Sequence, residues 1–168
     1  IQSINKGLGI SEGYNNEYSL KLQHEESDLV NIENDIYGRP QKAARVISEP
    51  WIQMKTSAKN DGISLNIVSA FRTVEKQKEI IQRKLDSGVR IEEILKMCAA
   101  PGYSEHHTGC ALDLTTEGCS PLTEEFEETA AFIWLQDNAR LFSFSLSYPK
   151  SNKYGITYEP WHWAFTKG

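Results

Sequence analysis

Residues 99–114, AAPGYSEHHTGCALDL, run from a small, polar, glycine-containing loop (Ala99 to Gly109) directly into a short strand at Ala111 to Leu114. The segments before it are helical. Thr73 reads as an N-cap, and Gln77, Ile80, Ile81 and Leu85 continue an amphipathic helix that stops at Asp86-Ser87-Gly88; Ile91 to Met97 makes a second short helix. Upstream, Ile63 to Ser69 (ISLNIVS) alternates apolar and polar residues as a half-buried strand does, after a strong stop signal at Asn60-Asp61-Gly62. Downstream, Leu141 to Tyr148 (LFSFSLSY) alternates in the same way, and Trp161 to Phe165 (WHWAF) is the last strand. Between them Thr123 caps a third helix with Glu124, Glu125, Glu127 and Glu128 at the positive end of its dipole, and with Phe126, Ala130, Ile133 and Trp134 as its buried face. Near the N-terminus, residues 15–34 read as irregular or short-strand structure. Pro40 then opens a helical stretch in which Ala44, Ile47, Trp51, Met54 and Ala58 recur at spacings of three and four, with Pro50 expected to kink or split it. Helices and strands mix without regular alternation, so the fold class is α+β: a small, mostly antiparallel sheet with helices packed on one side.

The 168 residues, 19.1 kDa, suit one domain spanning 1–168 with a core of its own. With 18 Lys and Arg against 23 Asp and Glu, the net charge of −5 and the lack of a basic block exclude recognition of nucleic acid through its phosphates. No stretch approaches the roughly 20 apolar residues of a membrane span. Ile1 to Gly13 has no apolar signal-like region, which is the start a removed signal or anchor would leave. Cys98, Cys110 and Cys119 are odd in number and show no C-x-x-C pairing, which argues against a cysteine zinc cluster. They read as small core residues, or Cys98 and Cys119 as a bridge in an oxidising compartment.

Chemistry must therefore come from few residues. The chain has four histidines, and three of them lie in two short clusters, His106-His107 and Glu159-Pro160-Trp161-His162; His24 stands alone in a polar segment and reads as solvated surface. A histidine in the loop and Asp113, at the strand that follows, can converge on one ion if the chain turns at Gly109. With His162 they would supply two imidazoles and one carboxylate and leave a fourth position open, the catalytic arrangement for zinc and a poor one for calcium. Glu159 has the place of a carboxylate that is not a ligand and can act as general base. Spacing alone does not choose between His106 and His107.

Ser104-x-His106-x-x-Gly109-x-Ala111-x-Asp113 resembles the S-x-H-x-x-G-x-A-x-D signature of the VanY-like D-alanyl-D-alanine carboxypeptidases, zinc peptidases grouped with lysostaphin-type enzymes and the sonic hedgehog fold. Glu159-Pro-Trp-His162-Trp resembles that family's E-P-W-H-W element, Ser69-Ala-Phe-Arg72 its S-G-Y-R element, and Tyr148-Pro149 through Gly155-Ile156 its Y-P…G-I segment. The four motifs stand in the family's order between Leu29 and Phe165. The resemblance implies a cleft across the sheet holding one zinc ion on His106, Asp113 and His162, with Glu159 as general base and Arg72 stabilising the oxyanion. It also implies Ser104 at the substrate's terminal carboxylate; Gln77, on the first turn of the helix after Arg72, and Tyr158 and Trp161, beside the second cluster, read by position as further substrate-binding residues. Tyr148 and Tyr154 would wall the cleft, and Trp163 would belong to the sheet core.

The activity so implied is removal of the C-terminal D-alanine from a peptidoglycan stem peptide or its precursor. The alternatives are an L,D-carboxypeptidase, a D,D-dipeptidase, or an inactive hedgehog-like binding module. The expected setting is a monomer in a bacterial cell envelope, the cytoplasm being the alternative. Ala70 and Phe71 stand where the family has Gly and Tyr, Ala164 where many relatives have Arg, and residues 141–144 lack a frequent glycine; these departures bear on specificity.

Overall fold

The computed structural model describes residues 1–166. Two short helices open the chain, α1 (Gln2–Gly7) and α2 (Tyr14–Glu17), followed by an antiparallel hairpin of β1 (Leu29–Asn34) and β2 (Pro40–Ala44). Then come α3 (Arg45–Asn60), β3 (Asn66–Ser69), α4 (Val74–Asp86), α5 (Ile91–Met97), β4 (Ala111–Thr115), α6 (Ala130–Asn138), β5 (Phe144–Leu146) and β6 (His162–Phe165). The second sheet has the order β3-β4-β6-β5 and every pairing in it is antiparallel. The fold is α+β.

The period of two along a strand divides this sheet between two tasks. Leu112 and Leu114 of β4, Trp163 of β6 and Ile67 of β3 enter a core built with Ile47, Trp51, Met54 and Ala58 of α3 and with Phe132, Trp134 and Leu135 of α6. Asp113 and His162, which alternate with them and face each other in register, point to the opposite face. A bulge between Ile67 and Ser69 brings Ser69 opposite Asp113, so Ser69, Asp113 and His162 form a row across three strands. A second core joins Ile81 of α4 and Ile94 and Leu95 of α5 to Leu8, Ile10, Tyr14 and Leu20 of the N-terminal segment, with Tyr148 and Ile156.

Several sequence expectations need correction. Residues 40–44 are strand, not helix: Pro40 lacks an amide donor and starts a two-stranded hairpin, where none is required of it. The periodic stripe is real from Ile47 onward, but Ala44 is buried as the end of β2. Pro50 does not split α3. It lies in the second turn, where its missing bond concerns only the exposed Val46, and the buried stripe of Ile47, Trp51, Met54 and Ala58 runs past it. The acidic run Glu124–Glu128 forms a separate 3-10 turn, and Thr129 caps α6 by accepting from the Phe132 amide at 3.2 Å. Consequently Ala131, Phe132, Trp134 and Leu135 are the buried face, whereas Ile133 is 56% exposed. Strand β3 begins at Asn66, and residues 139–142 form a 3-10 turn before β5. Thr73 does cap α4, accepting from the Lys76 amide at 3.0 Å. Cys98 and Cys119 are not bridged to each other: Cys98 packs on the second core, while Cys110 and Cys119 pack on the first. Among the described residues no helix is long and apolar enough to cross a membrane.

Candidate metal centre and active-site cleft

The row across the sheet lies at the floor of a cleft of about 560 Å³ whose walls carry Arg72, Gln77, Ser104, Tyr148, Tyr158, Glu159 and Trp161. His106 reaches it from a 3-10 turn, Glu105–Thr108, that Ser104 caps with its hydroxyl. The chain then reverses at Gly109, whose φ of +66° is a left-handed conformation that glycine tolerates. A Cβ there would also meet the Ala44 amide nitrogen at 2.7 Å. Four residues later Asp113 emerges on β4. On the other side of the floor, residues 159–162 form a turn closed by the His162 amide on the Glu159 carbonyl at 3.1 Å, which places Glu159 beside the imidazole that starts β6.

His106, Asp113 and His162, all buried, offer ligand atoms within 4.8 Å of one another. Nε2 of His106 is 3.1 Å from one Asp113 oxygen, and Nδ1 of His162 is 3.0 Å from the other. The remaining ring nitrogens are also held, His106 Nδ1 at 2.7 Å from the Ala70 carbonyl and His162 Nε2 at 2.9 Å from Glu105 Oε2. A partner on the far nitrogen fixes the tautomer that turns the near lone pair to an ion. Two imidazoles and a carboxylate, so oriented and about one tetrahedral edge apart, fit zinc. His107 does not join them. Its Nδ1 bonds the Arg72 carbonyl at 2.6 Å, and its Nε2 accepts from the Gly102 amide at 3.1 Å, so its neighbour alone faces the floor.

Electrostatics follow from burial and from these contacts. Burial would raise the Asp113 carboxyl, but His106 and His162 hold it well below the usual carboxylate range. Burial pushes the His106 imidazole down. His162 is also desolvated, yet its hydrogen bonds to Asp113 and Glu105 raise it to about 10. Burial raises Glu105, but the bond and charge of His162, with Ser147 and His106, together outweigh it and hold the carboxyl below its ordinary value. Glu159 differs from all of these. The residue is 8% exposed, and its carboxylate lies 3.8 Å from His162 Nδ1 and accepts no hydrogen bond among the described residues; desolvation pushes it up to about 8, with Asp113 adding and His162 opposing. An unbonded carboxyl that binds a proton near neutrality has the property a general base requires.

Arg72 projects from the segment after β3. Its guanidinium donates to Gln77 Oε1 at 2.9 Å and Ser69 Oγ at 3.0 Å, and lies 3.7 Å from Asp113. Gln77 is fully buried and its Nε2 donates to the Ala99 carbonyl at 2.6 Å, so both ends of its amide are engaged and it serves as the brace of Arg72. Trp163 belongs to the first core and bonds the Pro160 carbonyl at 2.9 Å; His24 is exposed. Glu105 was missed by the sequence reading. It stands inside the histidine motif, but nothing in the spacing shows that a residue next to one candidate ligand orients the other.

The family model for VanY, D-alanyl-D-alanine carboxypeptidase, matches residues 41–168. The chain belongs to this family. It is 36% identical over 171 residues to a Bacillus subtilis (strain 168) protein named carboxypeptidase YodJ, covering 96% of this chain and 62% of that protein. It spans 46% and 48% of two enterococcal D-alanyl-D-alanine carboxypeptidases, so the chain accounts for less than two thirds of the length of these relatives. Among solved structures, the LdcB LD-carboxypeptidase, whose structure addresses peptidoglycan recognition, superposes with a TM-score of 0.75 at 31% identity over 85% of this chain and 70% of its own. A variant of a VanY D,D-pentapeptidase from a VanB-type vancomycin resistance cassette, in complex with Zn(II), gives a TM-score of 0.63 at 26% identity over 90% and 82%.

Proposed function

We propose that this chain is a zinc-dependent carboxypeptidase domain that hydrolyses peptidoglycan stem peptides, removing a C-terminal D-alanine. The observation that carries the reading is the convergence of His106, Asp113 and His162, each braced from behind, beside the buried and unbonded carboxylate of Glu159 in a member of the VanY family. His106, Asp113 and His162 would hold the ion, which when bound polarises the scissile carbonyl and acidifies water. Glu159 takes a proton from the attacking water and returns it to the leaving amine. Arg72, held in place by Gln77 and Ser69, donates to the oxygen on which negative charge develops. Ser104 faces the cleft close to the substrate's terminal carboxylate, and Tyr158 and Trp161 flank the peptide; Gln77 acts on substrate through Arg72.

Release of D-alanine from a synthetic pentapeptide stem tests this reading, run with and without a chelator and with Glu159→Gln. Chelation should abolish turnover, and the substitution should lower it about 10²–10⁴-fold. A zinc-loaded protein that cleaves neither pentapeptide nor tetrapeptide stems would instead be a binding module. The likeness to LdcB supports a second reading, L,D-cleavage, which the same assay on a tetrapeptide stem separates from the first. The proposed substrate argues for action at the bacterial cell envelope, with action on a cytoplasmic precursor as the alternative, and for a domain that works as a monomer.

A further inference from the structure

The hairpin β1–β2 lies outside the cleft, yet it is tied to the cleft by an unbroken set of bonds. Asp35, 5% exposed at the hairpin turn, accepts from the amides of Tyr37 and Arg39 on Oδ1 at 2.9 and 3.0 Å. Its Oδ2 accepts from Arg39 Nε at 2.8 Å and from Gln41 Nε2 at 2.9 Å. The other end of the Gln41 amide accepts from the Ala70 amide at 3.1 Å. The next peptide is held by the same strand, the Phe71 amide donating to the Lys42 carbonyl at 2.9 Å. That second peptide, Ala70–Phe71, carries the Ala70 carbonyl, the 2.7 Å partner of His106 Nδ1, so Gln41 holds the peptide before it and Lys42 holds the peptide itself.

The chemistry leaves this arrangement one orientation. A carboxylate only accepts and the Ala70 N–H only donates, so the amide between them must turn its NH₂ to Asp35 and its oxygen to Ala70. Ala70 is fully buried, and without Gln41 its N–H would have no partner and its segment would shift to find one. We infer that Asp35 and Gln41 are positioning residues for the metal centre, setting through the Ala70 carbonyl the tautomer and tilt of the His106 imidazole. This rests on His106 being a zinc ligand, as proposed above.

The test is the zinc dissociation constant, from competition with a chromophoric chelator, measured beside the unfolding midpoint of the metal-free protein. Wild type should bind one zinc. Gln41→Leu should bind it about tenfold more weakly, the low end of what loss of an outer partner costs. Gln41→Glu sets a second carboxylate against Asp35 and should weaken binding as well. The double exchange Asp35→Asn with Gln41→Glu reverses donor and acceptor and should return the affinity to within about threefold of wild type. Met54→Ala, a core change in α3 away from the cleft, should lower the midpoint and leave zinc affinity as it was. Wild-type affinity in Gln41→Leu, or a fall in Met54→Ala equal to that in Gln41→Leu, overturns the positioning role. A wild-type protein that takes up no zinc overturns the metallopeptidase reading, and this inference with it.

Discussion

The core beneath the four-stranded sheet and the core shared by α4, α5 and the N-terminal segment meet at the cleft, but they present different groups to it. The first backs Asp113 and His162, residues of regular strands whose neighbours Leu112, Leu114 and Trp163 are locked into that core. The second backs a wall: Tyr148, Ile156, Ala99 and Cys98 belong to it or pack on it, and it is completed by Leu8, Ile10, Tyr14 and Leu20. Those four lie before residue 41, where the match to the family model starts. Strand geometry holds the candidate ligands, while the wall leans on a segment that the family model does not cover. Changes on the sheet side should therefore act on metal and turnover, and changes on the helical side on substrate affinity.

The largest break in this contrast is His162→Ala, which should abolish zinc retention, read as metal content after desalting. Glu159→Gln should keep the metal and lower kcat about 10²–10⁴-fold, the usual contribution of a general base. Arg72→Lys loses the forked donor and should lower kcat about 10²–10³-fold with zinc content unchanged. Packing changes come next. Leu112→Ala should cost about 2–5 kcal/mol in denaturant unfolding. On the other wall, Tyr14→Phe strands the buried Ala100 amide, now 3.0 Å from the phenol oxygen; it should cost about 1–3 kcal/mol, raise KM and leave zinc content unchanged.

The smallest effect is in acid. Burial disfavours the ionised Asp35, but the bonds from Arg39 and Tyr37 outweigh it and hold the carboxyl below its ordinary value. The ionised form therefore stabilises the fold above the unfolded-chain pKa of about 4, and that contribution is lost as pH falls through the lower folded value. The stability gap between wild type and Asp35→Asn should be constant above about pH 5 and shrink below about pH 4, as urea unfolding across pH would show.

The local pattern exposed the elements that obey one pattern throughout: α4, α5, β4 and β6 stand close to the bounds read for them, the helix capped at Thr73, Ile91–Met97, Ala111–Leu114 and Trp161–Phe165. It misled at Ala44, a buried residue at the end of a strand that extends by accident the stripe of the helix after it. The motif residues that converge on the cleft floor were visible because catalysis demands particular side chains. Their supports were not. Glu105, Gln41 and the Ala70 carbonyl act through hydrogen bonds to residues 29 to 57 positions away, and such distances leave no local signature.

Gly109 has a consequence for anyone redesigning this centre. Its backbone is left-handed and the space beside it is filled by Ala44 and Leu29, so two independent constraints close the position to any side chain. The reversal that carries the chain from His106 to Asp113 therefore depends on glycine at this one position. A redesign of the proposed metal preference would therefore exchange the side chains at His106, Asp113 and His162 and keep Gly109 as it is.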